Sequence, residues 1–139
     1  MAHESNKALV SEFVSRVLSN HHLDAVDQLV AADFTELDPL PGQRQGRDGL
    51  KEVLAGLLAA FPDMNWTVHE QIAEDEMVVT RFAWTGTHRG AFLGIAPTGR
   101  NVAVKGVVID RVVAGRMQES RILMDTLGLM QQLGVVPME

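Results

Sequence analysis

The chain contains no cysteine among its 139 residues. It can therefore form neither a disulfide framework nor a zinc site built from thiolates. The glycine-rich stretch 42–49 lacks the Gly-Lys-Ser/Thr ending of a phosphate-binding loop, and no Gly-x-Ser-x-Gly nucleophile elbow occurs. These absences exclude thiol chemistry and argue against a phosphate cradle or a serine hydrolase.

Positive charge is scarce, with 12 Lys and Arg against 18 Asp and Glu and a net charge of −6. Nucleic acids and anionic membrane surfaces are bound through basic patches, so neither is an expected partner. No apolar run approaches membrane-spanning length, and residues 1–7 lack the apolar core of a secretion signal. The sequence therefore predicts a cytoplasmic protein without a membrane partner.

Histidine-based metal sites also find little support. His21 and His22 are adjacent, so on a helix their side chains point in different directions and do not share one ion. His69-Glu70 lacks the second histidine of a zinc-protease helix. We expect no metal site.

The length predicts a single domain over residues 1–139. Apolar residues recur at helical spacing in the first part of the chain. They predict a helix over about 7–20, a shorter one over Leu23 to Ala31, and a third over Leu50 to Phe61 that Pro62 stops.

After Trp66 the period changes to alternation, which is typical of half-buried strands. Further strands are predicted over 77–87, 102–113 and 117–124, joined by short turns that imply antiparallel pairing. The predicted fold is α+β: a curved, mostly antiparallel sheet packed on three N-terminal helices, with a short helix from about Thr126. Such a sheet can enclose a cavity.

Asp125 ends the apolar run Ile122-Leu123-Met124 and precedes the last predicted helix. In a strand it would share a face with Leu123 and Arg121, and burial on an apolar face would raise its pKa and suit it to acid/base catalysis. It also stands where a helix N-cap belongs, and aspartate is a favoured cap. The sequence leaves both interpretations open.

Other candidate pocket residues also have a structural alternative. Phe82 and Trp84 lie on one face of a strand and would serve as pocket floor or as core. Glu36 or Asp38 could face a pocket mouth or lie in a solvated loop. Arg121 could bind a substrate oxygen, pair with an acid or face water.

Several segments together resemble the SnoaL-like polyketide cyclase family of the nuclear transport factor 2-like superfamily, whose members are cone-shaped α+β barrels. The segments are Gly86 to Arg100, Asp125 to Gly134, Phe61-Pro62-Asp63 and Asp33-Phe34.

The resemblance implies an intramolecular aldol cyclisation of a small apolar carbonyl substrate, without metal or organic cofactor. Asp125 matches the acid/base aspartate of the family, and a homodimer is implied. We expect the substrate pocket to be formed by the following residues: Phe13, Glu36, Leu54, Phe82, Trp84, His88, Arg121 and Leu123.

Two other functions remain open. A non-catalytic small-molecule-binding or dimerisation module would use Asp125 only as a cap. An acid/base enzyme such as an epoxide hydrolase or isomerase would use the same cavity. Epoxide hydrolysis would require a second carboxylate, for which Glu36 is the plausible donor.

Overall fold

The computed structural model describes residues 2–137, so Met1, Met138 and Glu139 of the predicted domain lie outside the described residues. Helix α1 is Ala2–Phe13 and continues as a π-helix, Val14–Ser19. A 3₁₀ turn, Leu23–Ala25, leads into the short helix α2, Val26–Leu29. Helices α3 and α4 are Gly46–Ala60 and Thr126–Leu133.

The strands are β1 (Val30–Glu36), β2 (Asn65–Glu74), β3 (Met77–Thr87), β4 (Asn101–Val113) and β5 (Arg116–Met124). They form one sheet in the order β1-β5-β4-β3-β2. The β2–β3, β3–β4 and β4–β5 pairs are antiparallel, and β1 pairs with β5 in parallel. The predicted α+β fold with a curved, mostly antiparallel sheet is confirmed.

Strand β1 is the main departure from the predicted order of elements. The second helix was expected to reach Ala31 and to be followed by a loop, but α2 ends at Leu29 and the chain becomes extended at Val30. Its pairing partner, β5, lies more than 80 residues further along the chain. A parallel pair of this kind has no local turn signal, so the sequence pattern did not indicate it.

The tight connection predicted between the last two strands is present at Ala114 and Gly115. Both have positive φ, 52° and 76°, as in a type I′ hairpin turn. The turn fixes how β5 folds back on β4 and so decides which β5 side chains face the helices.

The hydrophobic core lies between the helices and one face of the sheet. Its most completely buried large side chains include Phe34, Phe61, Phe82 and Trp84. The rings of Phe61 and Trp84 meet edge to face with centroids 5.0 Å apart. Burying each such side chain stabilises the fold by about 2 kcal/mol. Among residues 2–137, no helix is both long and apolar enough to cross a membrane.

Candidate functional site

A cavity of about 280 Å³ lies between the helices and the inner face of the sheet. Its walls come from α1 and the π-helix, from α3, and from all five strands. Most of the lining is apolar. It includes Phe13, Phe34, Leu54, Trp66, Phe82, Val108 and Met124.

Three polar side chains of the lining lie side by side on neighbouring strands. Glu36 on β1, Ser120 on β5 and Asp110 on β4 are register partners across three neighbouring strands. Adjacent strands lie about 4.8 Å apart, so the two acids are separated by one strand with the Ser120 hydroxyl between them. No lining side chain among the described residues is positively charged.

Asp110 is 1% exposed. It occupies an inward position of β4, with the same parity as the buried residues Val108 and Val112. Ser120 is its register partner on β5, and within the described part of the chain Oδ1 has no hydrogen-bond partner. Burial, together with the charge of Glu36, raises the pKa of Asp110 to about 7 against the lowering effect of Ser120.

Glu36 is also buried, at 8% exposure. The amide of Gln45 holds its backbone: the Glu36 N–H donates to Oε1 at 3.1 Å, and Nε2 donates to the Glu36 carbonyl at 3.2 Å. The Asp38 N–H donates to the Glu36 carboxylate at 3.1 Å. Burial is the largest effect and raises the pKa of Glu36 to about 7.

Sequence reasoning missed Asp110, although a signal for it existed. In the predicted strand 102–113, Asp110 falls on the same face as Val102, Val104, Val108 and Val112. A carboxyl in an otherwise apolar inward series indicates a functional site more strongly than one at a strand end.

Asp125 does not lie in the cavity, and the prediction that it sits on the inner face is wrong. Its side chain is exposed and caps α4 by accepting from the Gly128 N–H at 2.9 Å. A Cβ at position 128 would clash with the Asp125 carboxylate, so glycine makes room for this cap. The N-cap interpretation describes the observed geometry.

The error came from assigning the wrong face of β5 to the interior. Asp125 does share parity with Leu123 and Arg121, but these side chains are exposed. The inward residues of this half of β5 are Ser120, Ile122 and Met124, which pair with Asp110, Val108 and Gly106. Only the pairing with β4 distinguishes the two faces, because both carry apolar residues.

Five of the eight predicted pocket residues line the cavity: Phe13, Glu36, Leu54, Phe82 and Leu123. Leu123 is on the outward face of β5 and is 64% exposed, so it reaches the cavity only at the rim. Asp38 and Thr126, which are also exposed, belong to the same rim. The cavity thus opens between the loop after β1 and the end of β5.

Trp84 and His88 are buried but do not belong to the lining of this cavity. Trp84 is core, and its indole N–H donates to the sulfur of Met124 at 3.3 Å. His88 stacks on Phe61, and its Nδ1 accepts from the Thr98 N–H at 3.1 Å. It anchors the loop that follows β3.

Arg121 is also outside the lining, contrary to expectation. Its outward parity on β5 leaves it exposed, where it forms an ion pair with Asp38 at 3.4 Å. The pair links β5 to the loop after β1 beside the cavity rim. A surface pair of this kind contributes about 0–1 kcal/mol to stability.

Metal-binding groups do not cluster in the described chain: no three His, Asp or Glu side chains converge as potential ligands. The lining around the two buried acids brings the hydroxyls of Thr80 and Ser120 and a third acid, Asp38. This donor set suits proton transfer and hydrogen bonding to an organic ligand.

The fold and the cavity define a class, the nuclear transport factor 2-like α+β barrels. The chain belongs to the SnoaL-like polyketide cyclase family, which matches it over residues 8–133. The family predicted from the sequence is thereby confirmed. No curated protein matches the chain.

Solved structures agree with this assignment. AclR from Streptomyces galilaeus, provisionally assigned as a hydroxylase, is 27% identical with a TM-score of 0.84 over 97% of this chain and 84% of its own. A provisionally assigned polyketide cyclase from Acidithiobacillus ferrooxidans is 28% identical, with a TM-score of 0.83 over 94% of each chain. IdmH from Streptomyces antibioticus, likewise a provisional polyketide cyclase, is 28% identical, with a TM-score of 0.80 over 94% and 99%.

Proposed function

We propose that this protein is a cofactor-independent enzyme that performs cyclase-type acid/base chemistry on a small apolar carbonyl compound. One observation carries the proposal: an apolar cavity contains two buried carboxyl groups, Glu36 and Asp110, at one place in its wall. Family membership and the two relatives provisionally assigned as polyketide cyclases support the reaction class.

Glu36 is the proposed base. A general base works best when its pKa lies near the operating pH, and burial raises the pKa of Glu36 to about 7. Glu36 also lies next to Asp38 at the cavity rim, so it can exchange its proton with solvent more readily than the deeper Asp110. The Gln45 amide fixes its backbone and thereby the direction of its carboxylate.

The proposed reaction conserves the proton. The Glu36 carboxylate removes a proton from the carbon next to a substrate carbonyl, which leaves an enolate and a neutral Glu36. The enolate carbon attacks a second carbonyl of the same molecule, a carbon–carbon bond forms, and the resulting alkoxide takes the proton from Glu36. Holding both ends of the substrate in the cavity lowers the barrier by roughly 7 kcal/mol or more.

The acid/base role that the sequence assigned to Asp125 moves in this proposal to Glu36. The exposed Asp125 carboxylate is bonded to a helix amide and does not belong to the cavity lining. Its adjacent residues Met124 and Thr126 do line the cavity, so the experiment tests both acids.

The experiment measures deuterium exchange at the α-carbon of a small aryl ketone in D2O by NMR. Glu36→Gln keeps the side-chain volume and removes the base, so exchange should fall by about a hundredfold. Asp33→Asn is the matched control, because Asp33 is an exposed acid on the same strand and its carboxylate accepts a hydrogen bond from Gln118. Asp33→Asn and Asp125→Asn should both catalyse exchange at the wild-type rate.

Two results would contradict the proposal. If wild-type protein catalyses no exchange above buffer, the cavity serves a non-catalytic binding module. If Asp125→Asn abolishes exchange while Glu36→Gln preserves it, the family's aspartate is the base despite its exposure.

A second candidate function, epoxide hydrolysis, is favoured by the same pair of acids. One carboxylate would activate water and the other, in its acid form, would protonate the opening epoxide oxygen. Turnover of a small aryl epoxide to its diol, lost in both Glu36→Gln and Asp110→Asn, would identify this reaction. Exchange of ketone α-protons without epoxide turnover favours the cyclase type.

A further inference from the structure

We propose that Asp110 is the polar anchor of the cavity: as a neutral acid it donates a hydrogen bond to an oxygen of the ligand, and it restricts the site to uncharged ketones and esters. The proposal deepens the proposed function, on which it rests for the assumption that substrate occupies this cavity. It assigns Asp110 a binding role that is separate from proton removal by Glu36.

The first argument is the unpaired carboxyl oxygen. Asp110 is 1% exposed, yet within residues 2–137 its Oδ1 has no hydrogen-bond partner. A buried polar atom without a partner is costly, so native structures seldom retain one without a reason. Because Asp110 lines the cavity, an oxygen of a bound ligand can supply the missing partner.

The second argument is the charge around Asp110. Glu36 on β1 and Asp38 after it are the titratable groups that line the same cavity, and both are acids. The neighbouring strands bring the neutral hydroxyls of Thr80 and Ser120, while α1 and α3 contribute apolar side chains. With no cation facing it, a buried carboxyl is held in its neutral form, which is a hydrogen-bond donor.

These two arguments define the ligand. A ketone or ester oxygen accepts the Asp110 proton and brings no charge into the apolar cavity. A carboxylate ligand would place a further negative charge beside Glu36 and Asp110 without a compensating cation, which a desolvated site strongly disfavours.

Trp66 offers the other unpaired polar group of the lining. Its ring stacks on Phe82 with centroids 4.3 Å apart, and its Nε1 has no acceptor among the described residues. An indole N–H donates at every pH, whereas the Asp110 carboxyl donates only while protonated. The pH dependence of binding therefore distinguishes the two donors.

The test uses binding and needs no turnover. Acetophenone and benzoate are probes of similar size, one neutral and one anionic, and their affinities are measured by NMR titration at about pH 5.5 and about pH 8.5. Wild-type protein should bind acetophenone at least tenfold more weakly at the higher pH, where Asp110 is ionised. At both pH values, benzoate should bind about tenfold more weakly than acetophenone.

Two substitutions separate hydrogen bonding from packing. Asp110→Asn keeps a neutral donor of the same shape, so acetophenone binding should persist and lose most of its pH dependence. Asp110→Leu removes the donor, and affinity at the lower pH should fall by about tenfold. Asp33→Asn should behave as wild type, and thermal melting checks that each variant is folded.

Three results would overturn the assignment. Benzoate could bind as tightly as acetophenone, Asp110→Leu could keep both the affinity and its pH response, or 1-phenylethylamine could bind more tightly than the ketone as pH rises. Tighter binding of the amine would show that Glu36 and Asp110 form a site for a cation. Glu36→Gln should abolish exchange but preserve ketone binding, so failure of the base assignment is distinguishable from failure of the anchor.

Discussion

At the residue scale, Glu36 and Asp110 are two buried acids whose ionised forms would lower the stability of the fold. Each is an acid in the apolar wall of a cavity, and neither has a basic partner among the lining residues described. An isolated buried charge is destabilising. Burial therefore favours the protonated form of both acids and raises their pKa values to about 7. A pair of this kind is typical of functional sites rather than of structural ion pairs.

The pair predicts how stability depends on pH. Burial raises the pKa of both acids to about 7, above their ordinary values of 4.5 and 3.8. At a pH between the ordinary and the raised pKa values, the native state binds more protons than the unfolded state. The stability that the two protonated acids contribute is therefore complete at low pH and is lost as pH rises through about 7. The melting temperature should fall by about 5 °C or more between about pH 5 and about pH 8.

The control for this prediction is the double variant Glu36→Gln/Asp110→Asn, whose melting temperature should be nearly constant across the same range. Asp63 does not produce the slope. Its two hydrogen bonds from Thr87 lower its pKa, so it stays ionised throughout the range. A wild-type melting temperature that rises with pH across this interval would show that the pair is not protonated as argued.

At the element scale, α4 depends on its two ends. Asp125 caps the first turn, and Gly134 ends the helix in the left-handed conformation with φ of 83°. The helix packs on the core through the buried Leu129 and Leu133. Since it has only eight residues, its stability depends on these caps and contacts rather than on intrinsic propensity.

Replacement of Asp125 should affect folding and leave catalysis unchanged. Asp125→Ala removes the acceptor for the Gly128 N–H and should lower the free energy of unfolding by about 1 kcal/mol, measured by urea denaturation. Asp125→Asn should lower it by no more than a few tenths of a kcal/mol, because asparagine is an equally good cap. Unchanged stability in Asp125→Ala combined with lost turnover would instead place this carboxylate in the reaction.

At the scale of the whole molecule, the outer face of the sheet carries exposed apolar side chains. Val107 and Leu123 are register partners on this face and are 37% and 64% exposed, and Ile72 on β2 is 66% exposed. Apolar side chains grouped on one exposed face are typical of interaction surfaces. We therefore propose that two copies of the chain pair through this face.

Multi-angle light scattering at micromolar concentration should report twice the mass of the 139-residue chain. Val107→Arg would place a charge at the centre of the proposed interface and should shift the protein towards monomer. Asp24→Arg, at an exposed position of the 3₁₀ turn in the helical layer, is the control and should remain dimeric. A wild-type mass equal to one chain would contradict the proposal.

Local patterns predicted β2 to β5 closely but not β1. The alternation after Trp66 indicated the order of these four strands, and β3 and α4 begin at the predicted residues. These features depend on side-chain period and on local signals such as the Ala114-Gly115 turn, which act over a few residues. The pairing of β1 with β5 depends on distant contacts and was missed.

The sequence by itself determined the fold class, the family and an apolar interior with few candidate acids. Tertiary structure decided which acids face that interior. Alternation predicts that Asp125 and Leu123 share a face but does not say which face is inside, and it left Asp110 unnoticed among valines. The pairing of β5 with β4 and β1 turns Ser120 inward between Glu36 and Asp110. Strand register, which no local pattern encodes, therefore created the candidate site.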